Sequence, residues 1–411
     1  MSGERQGARL PPAVLALLAT SFLTSFATVG QITILGKQVF DMTGRELDLG
    51  LLGLAEFVPL AAAAPLTGAL ADRLDRRRVF AVGIAGEVAT SLGLFWYVSN
   101  DPEAVWPIFA LVVVYGFSRS LASPAVRALA IDVAPPDQLE RVIALRSVAF
   151  QAGGILGPVA AGFVFIADSA APYAVSAFAY SIAAVLISRI PKLSTRRLAT
   201  RGGLQALRDA RDGLRFIRRQ PVIFGAISLD LFAVLLGGVV ALLPAIAEER
   251  LGVGAVGLGG LRAAISAGAA TMALTLSIRP LRRHVGTTLL GVIGAFGILH
   301  LVLAFTTAYL LACALLFGAA ALDSISVFIR ATLIPLATPE DMRGRVLAVE
   351  NVFIGASNEM GAVESGVTAA ALGLVGAMVF GSVGTLVVVV LWWRWFPALR
   401  DVDRFDEVRV T

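Results

Sequence analysis

The sequence predicts an all-α integral membrane protein of twelve transmembrane helices arranged as two six-helix halves. Apolar residues make up 57 % and charged residues only 15 % of the 411 residues, whereas a soluble domain has about 45–50 % apolar and about 25 % charged residues. Apolar runs of about 20 residues, long enough to cross a hydrocarbon core about 30 Å thick, recur along the chain. A charged segment that contains proline also occurs twice, once in each half.

Six apolar runs precede a basic segment and six follow it. The predicted spans are Pro12–Leu35, Leu49–Leu70, Val79–Val98, Trp106–Ile131, Val142–Ile166, Tyr173–Ile190, Val222–Ala247, Ala255–Ile278, Thr287–Phe305, Tyr309–Ile334, Val346–Leu374 and Met378–Trp395. The prediction therefore divides the chain into a six-helix bundle (1–190), a basic linker (191–221), a second six-helix bundle (222–397) and a tail (398–411).

The repeated segment indicates how the two halves are related. Residues 127–150 and 330–354 align with Arg127 opposite Arg330 and Pro136 opposite Pro339, at an offset close to half the chain. Because both copies keep the same sequence direction, their loops are expected on the same side of the membrane. This requires an even number of spans in each half and predicts a parallel repeat about an axis along the membrane normal.

Basic residues set the predicted orientation. With the N-terminus in the cytoplasm, nearly all loop arginines lie inside, and only Lys37, Arg45 and Arg250 lie outside. The positive-inside rule therefore predicts cytoplasmic termini and a cytoplasmic linker. The net charge of +5 is interpreted as contact with anionic lipid. The basic residues are scattered without an aromatic platform, which argues against nucleic-acid binding.

The linker carries leucine and isoleucine at helical spacing among many arginines. Leu204, Leu207, Leu214 and Ile217 mark one side of a helix. This pattern predicts an amphipathic helix that lies on the inner leaflet.

Few residues of the types that carry enzyme or metal chemistry are present. Cys313 is the only cysteine, and His284 and His300 are the only histidines. A thiolate cage, a histidine metal site and a Ser-His-Asp triad are therefore poorly supported. No phosphate-binding loop of the Walker type occurs. We expect no enzymatic activity, no cofactor and no bound metal.

Polar residues inside the first two spans have open interpretations. Ser21, Ser25 and Thr28 share one helical face, which either lines a cavity or hydrogen-bonds a neighbouring helix. Glu56 lies near the middle of the second span. A carboxylate at that depth is expected to be protonated, paired or facing water.

A glycine, an acid and several arginines join the second and third spans in GALADRLDRRRVF, residues 68–80. The segment resembles the loop motif Gly-x-Leu-x-Asp-Arg-x-Gly-Arg-Arg of the major facilitator superfamily. Asp75 stands where that motif has its second glycine. The resemblance implies a cytoplasmic gate in which the acid Asp72 holds the closed state. The matching gate residues are Gly68, Asp72, Arg73, Arg76 and Arg77.

The fourth and fifth spans carry further candidates. Arg119 lies near mid-depth in the fourth span, where its charge cannot easily reach water. Gly153, Gly157 and Pro158 in the fifth span resemble the glycine-proline motif of antiporters in this superfamily. Close helix packing alone would explain this pattern equally well.

Acids and arginines recur inside the predicted spans of the second half. Residues 229–264, 321–346 and 353–366 resemble the bacterial drug and siderophore exporters, a subgroup that includes the enterobactin exporter and macrolide efflux pumps. In the superfamily, the first, fourth, seventh and tenth helices line a central cavity. The resemblance therefore implies that Arg119, Asp230 and Asp323 face the cavity, with Glu56 and Glu359 behind.

The resemblance implies a monomeric transporter of the bacterial inner membrane that exports a small amphipathic molecule, with protons and membrane lipids as its other partners. Proton-coupled or facilitative uptake, lysophospholipid flipping and a non-transporting sensor stay open as alternatives. The proton carrier is expected among Asp323, Asp230, Glu359 and Glu56, with Asp323 favoured. A permanent pair of Asp323 with Arg119 or with Arg330, which shares its helical face, is the competing interpretation.

Overall fold

A computed structural model describes residues 10–135, 138–190 and 203–408, without the side chains of residues 64–66, 68–73, 127–128, 131, 140 and 203–207. All regular elements in these ranges are helical. The α-helices are α1 (Pro12–Thr43), α2 (Glu46–Arg73), α3 (Arg76–Val98), α4 (Trp106–Val133), α5 (Leu139–Ala167), α6 (Ala171–Ser188), α7 (Gly203–Arg219), α8 (Pro221–Leu236), α9 (Leu243–Ala245), α10 (Gly254–Ile278), α11 (Val285–Phe305), α12 (Tyr309–Leu336), α13 (Glu340–Trp395) and α14 (Pro397–Arg400).

The helices confirm the predicted fold class. Ten helical segments of the described chain are long and apolar enough to cross a membrane, and α13 is one of them. Gly373 interrupts α13 with φ 75° and ψ 165°, so this element contains two spans. With α2 as a further long helix, twelve spans result. The helices α4 and α12 occupy equivalent places in the repeat, and each has 28 residues.

The first helix is longer than predicted, because its charges are satisfied within the protein. Lys37, expected in an outer loop, is buried in α1 and forms ion pairs with Asp41 (2.8 Å) and Glu248 (3.1 Å). The helix ends at Gly44, whose φ of 60° places it in the left-handed conformation that commonly ends helices. Its N–H donates to the carbonyl of Phe40.

The seventh span is irregular. After α8 come a 3-10 turn (Gly238–Val240), the single turn α9 and a π-helical turn (Ile246–Arg250). Gly238 lies against the backbone of Gly361 in α13, where a Cβ atom would clash. The chain therefore breaks its helical ladder at a close backbone approach, and irregular backbone at this depth is tolerated when protein surrounds it.

The described residues form two compact units. Unit 1 comprises those within 1–34 and 58–200, and unit 2 those within 35–57 and 201–411. The core of unit 1 contains Phe80, Tyr115 and Tyr180. Unit 2 has two core clusters, one of which includes Phe40 and Leu49 from the ends of α1 and α2 that belong to this unit.

The linker helix is confirmed as α7, but for Leu214 and Ile217 the prediction that its apolar face lies on lipid is wrong. Leu214 and Ile217 pack into the core of unit 2 with residues of α8 and α13. Gly213 touches the Arg345 backbone, and the Arg345 guanidinium pairs with Asp209 at 2.9 Å. Protein contacts bury this face because α13 offers apolar surface and a charge partner. Leu204 and Leu207 lie outside the described side chains.

The C-terminal tail returns to the start of α11. The Gly286 N–H donates to the Val402 carbonyl at 2.9 Å. The Asp403 carboxylate accepts from the backbone N–H of His284 at 3.0 Å and from the Arg283 guanidinium at 3.2 Å. These hydrogen bonds lower the pKa of Asp403 because they favour its charged form.

Candidate functional site

A buried ion-pair network crosses the interior of unit 2. Arg330 of α12 donates to Asp230 of α8 at 2.7 Å, and its other terminal nitrogen lies 3.7 Å from Glu350 of α13. The three residues are only 4–7 % exposed. The network therefore joins three spans through a single guanidinium.

The apolar pattern of α12 places Arg330 in the interior. Ile329, Leu333 and Ile334 on the same helix are fully buried, so this part of α12 is enclosed by protein. A buried guanidinium is costly without a partner, and Asp230 and Glu350 supply two. The network therefore connects α8, α12 and α13 in the interior of unit 2.

A recess lies beside this network. It is small, with a cavity volume of about 20 Å³, which is enough for about one water molecule. Its lining residues are Asp230, Ala233, Val234, Val292, Ile293, Phe296, Leu322, Asp323 and Ser326. The walls are therefore mainly apolar, with two carboxyl groups and one hydroxyl.

Asp323 and Ser326, which both line the recess, differ in their exposure. Asp323 is exposed and has no hydrogen bond or ion pair with any described residue. Ser326 is 1 % exposed, and its Oγ has no hydrogen-bond partner among the described residues. Asp230 also lines the recess, but its carboxylate is held by Arg330. The recess therefore offers one uncommitted carboxyl group and one uncommitted hydroxyl.

The predicted alternative pair of Asp323 with Arg330 is absent. The two residues are seven positions apart on α12, which corresponds to about 10 Å along the helix axis. Arg330 reaches Asp230 and Glu350 instead. A shared helical face therefore indicated proximity correctly without indicating a direct contact.

Glu56 and Glu359 do not line the recess. A Glu359 carboxylate oxygen faces Gly53 of α2, where an added Cβ would lie 2.8 Å away. Glu56 is near enough to Arg262 of α10 to stabilise its charge, and the Arg262 guanidinium donates to the Val240 carbonyl at 3.4 Å. Glu56 therefore lies in the part of α2 that belongs to unit 2, and Glu359 faces the same part of α2.

Unit 1 contains a ring of hydroxyl groups. Tyr180 lies 2.9 Å from Thr28 and 2.8 Å from Tyr115, and Tyr115 donates to Thr28 at 3.3 Å. The Arg119 guanidinium lies 5.8 Å from the centre of the Tyr115 ring, within the range of a cation–π contact. Thr28 of the first-span face therefore bonds to neighbouring helices, whereas the Oγ atoms of Ser21 and Ser25 are buried without a hydrogen-bond partner among the described residues, so both interpretations of that face stay open.

The gate motif is partly described. Arg76 pairs with Asp132 of α4 at 2.7 Å, and Arg77 pairs with Asp75 and donates to the Ile190 carbonyl. Asp75 caps α3 with φ −62° and accepts from the Arg77 N–H. An acid therefore replaces the motif's glycine without backbone strain. Hydrogen bonding from the Arg77 side chain is the main cause that lowers the pKa of Asp75. Gly68, Asp72 and Arg73 lie outside the described side chains.

The glycines of α5 lie against α1. A Cβ at Gly153 would clash with the backbone of Phe22, and a Cβ at Gly157 would clash with the carbonyl of Phe26. Pro158 lies inside the helix. These contacts show close packing at the predicted position.

Glu350 is the site residue that the sequence interpretation missed. It lies inside the predicted eleventh span, so an ionisable residue within an apolar run was the available signal. Its place near the start of that span made it resemble the charged loop before it. Only the packing of α12 against α13 shows that Glu350 is buried near Arg330.

Comparison with known proteins places these features in a family. A family profile of the Major Facilitator Superfamily matches residues 14–326. YfiS of Bacillus subtilis (strain 168), an uncharacterized MFS-type transporter, is 25 % identical over 214 residues, 51 % of this chain and 50 % of YfiS. The enterobactin exporter EntS of Salmonella typhi is 28 % identical over 376 residues, 87 % of this chain and 85 % of EntS.

A solved structure supports the same fold. The crystal structure of the nucleoside transporter NupG aligns with a TM-score of 0.75 at 13 % identity, covering 95 % of this chain and 99 % of NupG. Identity at this level bears on the fold alone.

Proposed function

Because the chain belongs to the major facilitator superfamily, we propose that this multi-pass membrane transporter exports a small amphipathic molecule from bacteria by alternating access, driven by proton antiport. Similarity to an enterobactin exporter over most of both chains supports the direction of transport. The arginine distribution supports cytoplasmic termini in the plasma membrane. The same family assignment makes the chain a transporter and not an enzyme.

One observation carries the coupling proposal: Asp323 is exposed to a recess beside a buried ion-pair network. A carboxyl group in such a place can exchange protons with water, whereas the carboxylate of Asp230 is held by Arg330. A conformational change that alters the distance between Asp323 and Arg330 would change the proton affinity of Asp323. Asp323 is therefore proposed as the residue that carries the coupling proton.

The loop between α2 and α3 is proposed as the cytoplasmic gate. The pair Arg76–Asp132 joins α3 to α4 within unit 1, and the pair Arg77–Asp75 lies at the start of α3. The motif resemblance assigns the closing contact to Asp72. In this proposal Asp72→Asn shifts the protein toward the inward-open state and leaves the fold intact.

Transport by reconstituted protein tests the proposal. Purified protein in proteoliposomes is given a panel of siderophores and hydrophobic drugs, with and without a proton gradient. The protein should accumulate at least one compound only when the gradient is present. Asp323→Asn should abolish this accumulation and keep downhill exchange, because a neutral amide cannot carry the proton.

A matched control is Asp401→Asn in the tail, where the acid pairs only with Arg400 at the surface among the described residues. This variant should accumulate substrate as the unmodified protein does. Gradient-independent accumulation, or no transport of any compound, would overturn proton-driven export. Full accumulation by Asp323→Asn would mean that another acid carries the coupling proton.

A further inference from the structure

We infer that the C-terminal tail seals the recess of unit 2 from the cytoplasm, so that Asp323 can exchange protons only on its exposed side. This inference rests on the proposed function, because it takes Asp323 as the carrier of the coupling proton. The segment involved is 396–408, which ends the described part of the chain, together with the surfaces of α8, α11 and α12 that it covers.

The sequence of this segment has an apolar residue at every third position. The series consists of Phe396, Leu399, Val402, Phe405 and Val408. All five belong to, or pack against, one core cluster of unit 2. Every other residue between Leu399 and Val408 is charged. Exposed among these are Asp401, Arg404, Asp406 and Glu407. The segment therefore presents an apolar side to the protein and a charged side to water.

The apolar side contacts three helices. The Phe396 ring lies 5.8 Å from the ring of Phe224 in α8. The hydrogen bond from Gly286 attaches the tail to the start of α11. The Phe405 ring meets the ring of Phe328 in α12, with the ring centres 6.2 Å apart. The tail therefore covers one end of α8 and α11 and the adjoining part of α12, on the side that the arginine distribution assigns to the cytoplasm.

The same three helices carry the walls of the recess. Gly225, which touches the Phe396 ring, precedes Asp230 by about 7.5 Å along the axis of α8. Gly286 precedes Val292 by about 9 Å along the axis of α11. The tail therefore lies within about two helical turns of the recess.

Apolar side chains fill the distance between the tail and the recess. Val285, Leu289 and Ile293 follow one another at helical spacing on α11, and all three are buried. The Val285 N–H donates to the Asp403 carbonyl in the tail, and Ile293 lines the recess. The tail and the walls of the recess therefore belong to one continuous apolar cluster.

Two glycines show that the tail completes this end of unit 2. A Cβ at Gly225 would lie 2.9 Å from the Phe396 ring, and a Cβ at Gly286 would clash with the Leu399 carbonyl. The tail thus occupies space that side chains of α8 and α11 would otherwise fill. Without the tail, neither position has a side chain that could close the gap to water.

Alternating access gives this seal a function. In that mechanism the two halves move relative to each other, so that a site faces one side of the membrane at a time. The tail and the recess both belong to unit 2, so an opening between them would persist however the halves move. Water that entered there would connect Asp323 to the cytoplasm in every conformation and let protons pass without substrate. The tail prevents this leak.

Cysteine labelling tests the seal without requiring transport. The chain is shortened to end at Ala398, and Leu289→Cys is added as the reporter in a Cys313→Ser background, since Cys313 is the only cysteine. Inside-out membrane vesicles are treated with a sulfonated methanethiosulfonate that cannot cross the membrane. The new cysteine should react at least about tenfold faster in the shortened chain than in the full chain.

Proton leak tests the consequence of losing the seal. Proteoliposomes that contain the full or the shortened chain receive a pH gradient and an enclosed pH-sensitive dye, without substrate. The shortened chain should dissipate the gradient severalfold faster than the full chain. Adding Asp323→Asn to the shortened chain should return the rate to that of the full chain, because the route runs through this carboxyl group.

Two point variants keep the test open if the shortened chain does not fold. Phe405→Ala removes the ring that covers Phe328 and should increase both the labelling rate and the leak. Arg404→Gln is the matched control, because Arg404 is exposed next to Phe405 and pairs with Asp406. This control should label and leak as the unmodified protein does.

Three results would overturn the inference: equal labelling of folded full and shortened chains, faster labelling without a leak, or a leak that Asp323→Asn does not remove. Each of them leaves the proposed function intact when the unmodified protein accumulates substrate with the gradient. Failure of the unmodified protein to accumulate any compound would refute proton-driven export instead. The labelling experiment would then still decide whether the tail seals unit 2.

Discussion

In unit 1 the hydroxyl groups of Thr28, Tyr115 and Tyr180 bond to one another, whereas in unit 2 the guanidinium of Arg330 is shared between two acids. Three hydroxyls in a ring can each donate once and accept once, so the ring is complete without any ion. Arg330 pairs with Asp230 and Glu350, and the nearby acid Asp323 forms no ion pair with any described residue.

This difference suggests that the polar groups of unit 1 have a structural role and that the acids of unit 2 take part in proton coupling. The three hydroxyls of unit 1 bond to one another and can serve as a fixed structure. Asp323 of unit 2 has no ion pair with any described residue, so its protonation state can change with its surroundings. We therefore expect the largest effects of substitution in unit 2.

The strongest test removes the guanidinium. Arg330→Met keeps the length of the side chain and leaves Asp230 and Glu350 without their shared partner. Breaking a buried pair in this way costs about 3–5 kcal/mol. The thermal unfolding midpoint in detergent should fall steeply, together with the yield of folded protein.

A second substitution tests whether the uncompensated negative charge causes the loss of stability in Arg330→Met. Adding Asp230→Asn to Arg330→Met removes one of the stranded acids, so part of the lost stability should return. Simple addition of the two single losses would contradict a role for uncompensated charge.

The next largest loss of stability is expected in unit 1, where α1 and α5 pack closely. Gly157→Ala inserts a methyl group against the carbonyl of Phe26, and overpacking of this kind costs about 1–3 kcal/mol. The control is Gly291→Ala in α11, where nothing lies within 4 Å of the added carbon. The unfolding midpoint should fall for Gly157→Ala and stay level or rise for Gly291→Ala. The opposite order would mean that α1 and α5 separate easily.

A smaller loss is expected from the hydroxyl ring. Tyr180→Phe removes one hydroxyl and leaves Thr28 and Tyr115 able to bond to each other, as they do at 3.3 Å. The expected cost is about 0.5–1.5 kcal/mol in thermal unfolding, with transport retained. A loss of stability as large as that of Arg330→Met would contradict the expected difference between the two units.

A half-buried acid in the tail should have the smallest effect. Asp403→Asn removes the acceptor of the His284 N–H and the Arg283 guanidinium in the tail. Because these bonds lower the pKa of Asp403, their stabilisation is present above the unfolded value of about 3.9 and disappears as the pH falls through the folded value. The difference in midpoint between the two proteins should be small at pH 7 and vanish in acid. A difference that grows in acid would contradict this sign.

The sequence was sufficient to predict the spans, because apolar length and charge distribution follow directly from the membrane environment. It also predicted the helical linker, since the spacing of Leu214 and Ile217 is a local property. The surface that covers these residues is a tertiary property, and the prediction of a lipid contact was therefore wrong.

The partners of the buried charges could be predicted only in part. The face shared by Asp323 and Arg330 followed from helical periodicity. The choice of Asp230 and Glu350 as partners depends on how α8 and α13 pack on α12, which no local pattern contains. The π-helical turn at Ile246–Arg250 likewise reflects packing around the seventh span.

One pair of substitutions tests most directly whether proton coupling depends on unit 2 and not on unit 1. Glu87 is an acid buried within α3 of unit 1, at 4 % exposure, and Asp323 is an acid of unit 2 that forms no ion pair with any described residue. Asp323→Asn and Glu87→Gln are compared for gradient-driven accumulation and for downhill exchange in proteoliposomes. The account predicts that Asp323→Asn loses accumulation and keeps exchange, while Glu87→Gln keeps both. Accumulation that survives Asp323→Asn and disappears in Glu87→Gln would contradict it.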